Sequence, residues 1–487
     1  MSGAEMLRAT TKKCAGKALT LNLLKAALLT GVALAMVAQP ASADTLADAM
    51  ALAYTGNPNL LAARAQLRAT DEAVPIALSG WRPTLQVNGN VTRQRIETRQ
   101  PPSPTGSIGS FQQNTAKTAS VTFNQPLFRG FKTIAGTASA QNQVYAQRAR
   151  LAGTEAQVML QVATAYLDVL QYQAVVDLNR NNVQVLSRQL EATNDRFRVG
   201  EITRTDVAQS EASLAGSRAG LVLAEGQLQQ ARSAYENVVG KAPENLVQPA
   251  IPTTLPPNLE AAVTAAIAAN PNFLAADYTA LAAAENVTVV QGDLLPSASF
   301  VAQWTKGYDT SVTGYRSDQA IAQAQVTIPL YQQGAEWARL RQAKDTASQA
   351  RLLADQARLD ARNASTVAFE AYQSATASLE SFKAQIAASE ISVEGLQRQQ
   401  EVGSATILDV LIQEQNLLTA RVNLVRTQRD QAVAAHQILS STGRLNAADL
   451  SLNAPVYDPT SHYNSVKFQA IGPDAQPQSA VNPGKKP

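Results

Sequence analysis

The chain has 487 residues, of which 45% are hydrophobic and 16% are charged. Its 41 Lys and Arg residues and 38 Asp and Glu residues give a formal net charge of +3. The first 43 residues hold five of the basic residues and one of the acidic ones, so the remaining chain carries 36 basic and 37 acidic residues. A chain this close to neutral lacks the basic surface typical of nucleic-acid-binding proteins, and we expect no nucleic-acid partner.

The N-terminus has the three parts of a secretory signal peptide. Five basic residues are followed by an apolar run over 26–38 and then by Ala41-Ser42-Ala43, a small-x-small cleavage site. We therefore predict a signal peptide over 1–43, whose apolar run is too short to span a bilayer. The only cysteine, Cys14, precedes that run, so the mature chain would contain no disulfide and no thiolate-bound metal.

Two sequence patterns recur in the same order in the second half of the chain. Asn-Pro-Asn occupies 57–59 and 270–272, and Val-Gly-x-x-Thr-x-x-Asp-Val occupies 199–207 and 402–410. Recurrence at an interval of more than 200 residues indicates a duplicated, domain-sized unit rather than a short solenoid motif.

The boundaries of this duplication follow from composition. A proline-rich segment separates the two copies, and the end of the chain is rich in Asn, Pro, Gln and Ser with little apolar content to pack. We predict a first repeat over 44–241, a linker over 242–257, a second repeat over 258–446 and a flexible tail over 447–487.

Each repeat contains a long window without proline, the residue that a helix interior tolerates least. The windows are 127–242 and 330–454, and their apolar residues alternate at spacings of four and three until the pattern breaks at Gly200 or Gly403. We predict two helical hairpins, at about 132–240 and about 335–442. Their seams are rich in Ala, Ser and Gln, which fits both helices packed side by side in a wall and an ordinary antiparallel coiled coil.

Alternating apolar and polar residues precede each long window and predict four β-strands, at about 82–97, 117–127, 297–306 and 319–330. Strands of about ten residues have the length of transmembrane β-strands. Four strands cannot close a barrel, and lipid does not tolerate open sheet edges, so insertion would require several protomers. Each hairpin alone also fits a soluble β-ribbon with one wet face. The signal peptide and the long helices favour the membrane interpretation.

Together these features resemble the TolC-type outer-membrane efflux proteins. The resemblance covers roughly 44–446 and is most specific at residues 402–411, Val-Gly-Ser-Ala-Thr-Ile-Leu-Asp-Val-Leu. It implies a mainly α fold with a small transmembrane β part. In that fold three chains form one α/β barrel, to which each contributes four strands and long coiled-coil helices from two tandem repeats.

The resemblance also implies a function: the exit duct of a tripartite efflux pump or a type I secretion system in the outer membrane, with a periplasmic helical tunnel. Its implied partners are two further copies of the chain, outer-membrane lipid, a periplasmic adaptor and an inner-membrane transporter. The cargo, small molecules or unfolded proteins, is left open. The alternative from another class is a soluble periplasmic coiled-coil adaptor or scaffold, which would keep the helical hairpins without a barrel.

The sequence offers no support for an enzyme, a cofactor or a metal site. The only histidines are His436, on a helical seam, and His462, in the tail. No His/Asp/Glu cluster has the spacing of a metal site, and no Gly-rich phosphate loop follows a predicted strand.

The candidate selectivity residues are Asp206 and Asp409, each three positions after a threonine, Thr203 or Thr406. This spacing predicts a capping box, with the carboxylate near the positive end of the helix dipole. In the trimer that the resemblance implies, each aspartate would also occur three times around the narrow end of the tunnel, as an anionic ring that favours cations. The two roles are compatible.

The candidate adaptor-docking residues lie at the hairpin turns: Val199, Gly200, Val402 and Gly403. Both glycines stand where the chain must reverse and a positive φ is expected. The sequence departs from the family pattern nearby, because Gln400, Ala405 and Ile412 stand where a tyrosine, an arginine and a second aspartate can occur. We therefore expect the closed state to be held differently in this chain.

Overall fold

The computed structural model describes residues 45–99 and 109–472. The predicted signal peptide, the proline-rich stretch at 101–106 and the last 15 residues of the predicted tail lie outside the described residues. The structure is 67% helical and contains one four-stranded antiparallel sheet. This confirms the predicted fold class, mainly α with a small β part. No helix within the described ranges is long and apolar enough to cross a membrane.

The first half of the described chain contains three short helices, two strands and two long helices. These elements are α1 (Leu46–Gly56), α2 (Pro58–Asp71), α3 (Ala73–Leu78), β1 (Thr84–Arg99), β2 (Gly109–Arg129), α4 (Lys132–Arg198) and α5 (Arg204–Val239).

The second half has nearly the same order of elements. These are α6 (Leu259–Ala269), α7 (Pro271–Gln291), β3 (Ser297–Tyr308), β4 (Arg316–Thr327), α8 (Ala335–Glu401) and α9 (Ile407–Ser441), and they are followed by the short helix α10 (Ser461–Val466). The single helix α7 takes the place of α2 and α3.

Both proline-free windows are helical, and their first helices, α4 and α8, have 67 residues each. At about 1.5 Å per residue each is roughly 100 Å long. Each ends at a glycine in the left-handed region, Gly200 with φ 79° and Gly403 with φ 77°. The amide of the next residue bonds back into the last turn, as Ser404 N does to Gln399 O at 2.8 Å. This Schellman arrangement ends the helix and reverses the chain.

The recurring Asn-Pro pairs form matching joints between helices. Asn57 caps α2 by accepting a hydrogen bond from the Asn59 amide at 3.0 Å, and its side-chain nitrogen donates to the carbonyl oxygen of Val238 in α5 at 3.1 Å. Asn270 caps α7 and donates to the Ser441 carbonyl oxygen in α9 at 3.0 Å. Both asparagines are 6% exposed. Each joint therefore fixes the start of a short helix to the end of the second helix of a hairpin.

The largest apolar cluster lies where the middle of α4 meets α1, the end of α5 and the chain after α9. The linker is fastened to this cluster by Tyr166, whose hydroxyl donates to the Val247 carbonyl oxygen at 2.7 Å and accepts from the Val247 amide at 2.9 Å. His436 is buried on α9, with Nδ1 2.7 Å from the Ala432 carbonyl oxygen, and burial lowers its pKa. It is a packed seam residue, as its position in the sequence predicts.

The strands extend closer to the hairpin ends than the sequence predicts. β1 ends at Arg99 rather than near 97, and β2 has 21 residues because it begins at Gly109 rather than near 117 and ends at Arg129 rather than near 127. In the second copy β3 extends to Tyr308, and β4 occupies Arg316–Thr327 rather than 319–330. Polar residues fill these extensions, so the apolar alternation used for the prediction does not reach them, whereas the backbone pairing does.

Within the predicted tail over 447–487, the described residues contact the helical repeats. The amide of Ala447 donates to a carboxylate oxygen of Glu155 at 2.7 Å, and the amide of Tyr457 donates to the Tyr54 hydroxyl at 2.9 Å. Leu452 and Val466 are buried, at 8% and 1% exposure. Few apolar residues suffice here because polar groups of the helical repeats supply additional anchoring.

Another of these polar anchors is a buried carboxylate. Asp71, at the end of α2, is fully buried, and its Oδ2 lies 3.0 Å from Nδ1 of His462 in α10. Burial raises the pKa of Asp71, and the hydrogen bond with His462 opposes part of that rise. Further along, Arg82 donates to the Gln469 carbonyl oxygen at 2.9 Å. The segment from 455 to 472 thus contacts α1, the end of α2 and the residues just before β1.

Candidate functional site

The four strands pair in chain order, β1-β2-β3-β4, and every neighbouring pair is antiparallel. Residues directly opposite in such a sheet share a face, so the register defines rows of side chains across all four strands. One row is Leu85, Phe123, Ala302 and Ala322, and the next is Val87, Val121, Trp304 and Ala320. The four apolar stripes predicted strand by strand therefore fall on one face.

The opposite face is polar. Its central row is Gln86, Thr122, Gln303 and Ile321, followed by Asn88, Ser120, Thr305 and Gln319. From the row that begins at Thr84 to the hairpin ends, the described strand residues on this face include no charged side chain. In the rows named above, the sheet thus has one apolar face and one uncharged polar face, an arrangement suited to separating lipid from water.

The second candidate region is the pair of hairpin tips, at the ends of the long helices farthest from the strands. Thr203 and Asp206 form a complete capping box: the Thr203 amide donates to Oδ2 of Asp206 at 2.9 Å, and the Asp206 amide donates to the Thr203 hydroxyl oxygen at 3.4 Å. Thr406 and Asp409 form the same box with 3.0 Å and 3.2 Å contacts. The two boxes are equivalent, so the predicted capping role is confirmed for both aspartates.

The hydrogen bonds of these boxes stabilise the ionised carboxylates. The side-chain hydroxyl of Thr203 is the main cause of a lowered pKa at Asp206, and that of Thr406 lowers the pKa of Asp409 in the same way. Both helices therefore begin with a carboxylate that is negative at neutral pH. The anionic ring itself requires further copies of the chain and stays a prediction.

The tips present apolar side chains to solvent. Val199 is 78% exposed and Val402 is 80% exposed. A Cβ placed on Gly200 or Gly403 would meet no atom within 4 Å, so only the positive φ selects for glycine there. Ile412, one turn after Asp409, is 51% exposed. These surfaces are available to a partner at both tips.

Above the tips the two hairpins touch each other. Leu186 and Leu214 of the first hairpin pack with Ile407 and Leu411 of the second. Beside this cluster Glu414 accepts a hydrogen bond from the Gln397 side chain at 3.1 Å, and burial raises the pKa of Glu414.

An ion pair joins the hairpins farther from the tips. The guanidinium Nε of Arg429 in α9 lies 2.7 Å from Oδ1 of Asp168 in α4, and both side chains are about one quarter exposed. Asp430 also accepts from Arg429 at 2.9 Å. This three-residue contact links the two halves of the chain by charge.

Two comparisons with known sequences cover most of the chain. The family model described as "Outer membrane efflux protein" matches residues 50–241 and 262–444. The outer membrane efflux protein BepC of Brucella suis is 34% identical over 449 residues, which cover 92% of this chain and 95% of BepC. The chain belongs to the outer membrane efflux protein family.

Two other similar proteins have lower sequence identity. The outer membrane protein TolC of Vibrio cholerae is 26% identical over 444 residues, or 87% of this chain and 96% of that protein. The crystal structure of the outer membrane protein VceC, also from Vibrio cholerae, has a TM-score of 0.71 at 20% identity and covers 82% of this chain and 96% of VceC. The family resemblance drawn from the sequence is confirmed, and the VceC likeness shows the shared fold.

Several contacts at these regions escape sequence analysis. The Arg429–Asp168 pair joins residues 261 positions apart, and the Asp71–His462 pair joins residues 391 positions apart. Neither pair has a local motif. Glu414 could have been noticed only as an acidic residue on a largely apolar helical seam.

Proposed function

We propose that three copies of this chain form a channel in the outer membrane, which serves as the exit duct of an efflux pump or a type I secretion system. The observation that carries the proposal is the two-faced sheet. In a soluble monomer its apolar face would contact water along four strands, whereas in an outer membrane the same face would contact lipid and the uncharged polar face would line the lumen.

The proposed stoichiometry rests on the sheet edges. Among the described strands, β1 and β4 each pair on one side only. Open edges leave backbone donors and acceptors unpaired, which costs several kcal/mol for each group in lipid. Three chains would supply twelve strands and allow β4 of one chain to pair with β1 of the next. Closure in this way would give the backbone donors and acceptors of both edge strands hydrogen-bond partners.

The long helices set the rest of the proposed duct. Helices of roughly 100 Å that continue from the strand bases would carry the passage into the periplasm. We propose that the exposed valines Val199 and Val402 contact a periplasmic adaptor, which in turn joins an inner-membrane transporter. The duct passes small molecules or unfolded proteins and, in this proposal, performs no catalytic step and uses no cofactor.

The two sheet faces provide the test. Ala302 lies on the apolar face midway along β3, and its chain neighbour Gln303 lies on the polar face. A lysine on the lipid-facing side near the bilayer centre costs roughly 2–4 kcal/mol, whereas a lysine in a water-filled lumen costs little. Ala302→Lys should reduce the amount of heat-stable trimer in outer membranes, and Gln303→Lys should leave it unchanged and shift ion selectivity toward anions.

The control is the unchanged chain, whose mass in detergent should be that of a trimer by light scattering. A folded monomer, or release of the unchanged chain from membranes by a carbonate wash, would contradict the channel proposal. Equal assembly of the two lysine variants would show that the sheet faces are not divided between lipid and water.

A further inference from the structure

Apart from Arg129 at the base of β2, the charged side chains of the described strands lie at one end of the apolar face. On that face the described strand side chains include five cations, at Arg93, Arg95, Lys117, Lys306 and Arg316, and two carboxylates, at Glu97 and Asp318. All lie toward the hairpin ends, on the side of the sheet remote from the long helices. The opposite face is uncharged at the same level.

Four of these cations follow a continuous line across the sheet. Val91 pairs with Lys117, Ala119 pairs with Lys306, and Lys306 pairs with Asp318, so Arg93, Lys117, Lys306 and Arg316 are successive diagonal neighbours. Diagonal neighbours lie about 7–8 Å apart in an antiparallel sheet. Each strand contributes one cation to this line. We call these four residues the basic belt.

Lys306, the belt residue nearest the strand bases, lies at a definite height above them, and the other three lie two to four residues farther toward the hairpin ends. Lys306 is eight residues beyond Ala298, or about 27 Å along the strand at about 3.4 Å per residue. With the strand tilt of roughly 40° found in membrane barrels, this is about 20 Å along the membrane normal, close to the height of the apolar band in such barrels. The belt therefore marks the outer boundary of the lipid-facing surface.

Aromatic residues support this placement independently. Trp304 lies one row below Lys306 and donates its indole N–H to Oδ1 of Asp318 at 2.6 Å. Tyr308 lies beside two residues of the belt: the Arg316 guanidinium carbon is 5.7 Å and the Lys306 nitrogen is 6.0 Å from its ring centre. Both aromatic side chains are about 40% exposed. Tryptophan and tyrosine at such a level are typical of a membrane–water interface.

We propose that the basic belt binds the phosphate groups of the glycolipid that forms the outer leaflet of the outer membrane. The inference rests on the proposed function, because that function turns the apolar face toward lipid and the hairpin ends toward the cell exterior. Arg93, Lys117 and Arg316 are exposed on this face and Lys306 is half-buried, so their donors are accessible from the lipid side. Arginine and lysine separated by 7–8 Å suit a lipid that carries more than one phosphate.

The test compares two lipids on the unchanged chain purified in detergent. Fluorescently labelled lipid A with both phosphates should bind more tightly than the same lipid after enzymatic removal of its phosphates. Inorganic phosphate at the same concentration should not compete. Equal binding of the two lipids would overturn the proposal, and competition by inorganic phosphate would make the belt a general anion site and overturn the assignment to glycolipid.

A charge-removal variant and a charge-preserving variant locate the effect. Each cation removed should weaken binding of the phosphorylated lipid by about five-fold, the equivalent of about 1 kcal/mol for a basic residue near a charged lipid surface. Arg93→Gln combined with Lys117→Gln should therefore lose roughly 25-fold. Arg93→Lys combined with Lys117→Arg keeps both charges and should bind like the unchanged chain.

The same preparations separate this proposal from the proposed function. Trimer mass and ion conduction are measured beside lipid binding, and the belt variants should retain both. A conducting trimer that binds the two lipids equally would overturn the belt and leave the channel intact. Absence of a trimer would contradict the channel itself. If the double Gln variant fails to assemble, the comparison of the two lipids on the unchanged chain still decides the proposal.

Discussion

The side-chain nitrogen of Asn57 lies 3.1 Å from the carbonyl oxygen of Val238, and this contact joins the first turn of α2 to the last turn of α5. The side-chain oxygen of Asn57 caps α2 at the same time. One buried amide thus satisfies backbone groups at two helix ends that would otherwise lack partners. Asn270 has the same relationship to Ser441 in the second half of the chain.

Removal of this joint should destabilise the fold. Asn57→Ala loses the cap and leaves the Val238 carbonyl without its partner, so we expect a cost of about 1–3 kcal/mol in the free energy of unfolding. Asn57→Asp keeps the capping oxygen and should cost less at the cap, although it loses the donor to Val238. Asn59→Ala, at an exposed neighbouring position, is the control. Denaturant unfolding measures all three, and equal stability of the Asn57→Ala and Asn59→Ala variants would show that the joint contributes nothing.

The hairpin glycines should be sensitive to substitution through their backbone alone. Gly200→Val and Gly403→Val place a β-branched residue at a positive φ, which costs roughly 1–2 kcal/mol even without a steric clash. We expect a less ordered tip and weaker binding of the adaptor in a pull-down titration. Gly226→Ala, in the exposed interior of α5, should instead stabilise its helix by roughly 0.5–1 kcal/mol. Unchanged adaptor binding by both valine variants would argue against docking at the tips.

The charge of Asp409 can be tested apart from its role as a cap. Asp409→Asn keeps an oxygen that can accept from Thr406 and removes the negative charge, so cation preference should fall with little change in stability. Thr406→Val should instead lower the stability and leave the cation preference nearly unchanged, because it disrupts the cap and keeps the charge. The measurement is the reversal potential across a salt gradient. If Asp409→Asn leaves that potential unchanged, the aspartate acts only as a helix cap.

Cation preference should persist into acid. The hydrogen bonds from Thr406 lower the pKa of Asp409 below its ordinary value of 3.8, and those from Thr203 do the same for Asp206. Because the folded-state pKa is lowered, the stabilisation from each box is present above pH 3.8 and is lost only as pH falls through the folded pKa. Reversal potentials measured from neutral pH down to pH 4 should be nearly constant. A loss of selectivity well above pH 4 would place the responsible charge elsewhere.

Asp71 should give the opposite pH dependence. Burial raises its pKa above 3.8 in the folded chain, so stability from this group is present below pH 3.8 and is lost as pH rises through the folded pKa. Asp71→Asn removes this titration. The unfolding midpoint of this variant should therefore change less with pH between pH 3.8 and neutrality than that of the unchanged chain. Glu211→Gln, at an exposed carboxylate on α5, is the control. A profile of the Asp71→Asn variant that matches the unchanged chain would contradict the role assigned to Asp71.

Features that depend on neighbouring residues could be predicted from the sequence. The absence of proline permitted helices as long as α4 and α8, and the Val-Gly pairs with Thr-x-x-Asp marked their ends, because capping and reversal use groups within one or two turns. Alternation along each strand likewise assigned side chains to two faces, since the side-chain period of a strand is two. Strand ends were missed where polar residues continue a backbone pairing.

Which of these local features contact one another depends on the packing of distant segments. A shift of one residue in register would move a whole apolar stripe to the other face, so the common face of Val121 and Trp304 depends on strand pairing. The line from Arg93 to Arg316 has the same origin. The attachment of the tail depends on Asp71 and His462, which are 391 positions apart, and composition could not reveal it. Contacts of this kind arise from packing between distant segments, for which a local pattern carries no signal.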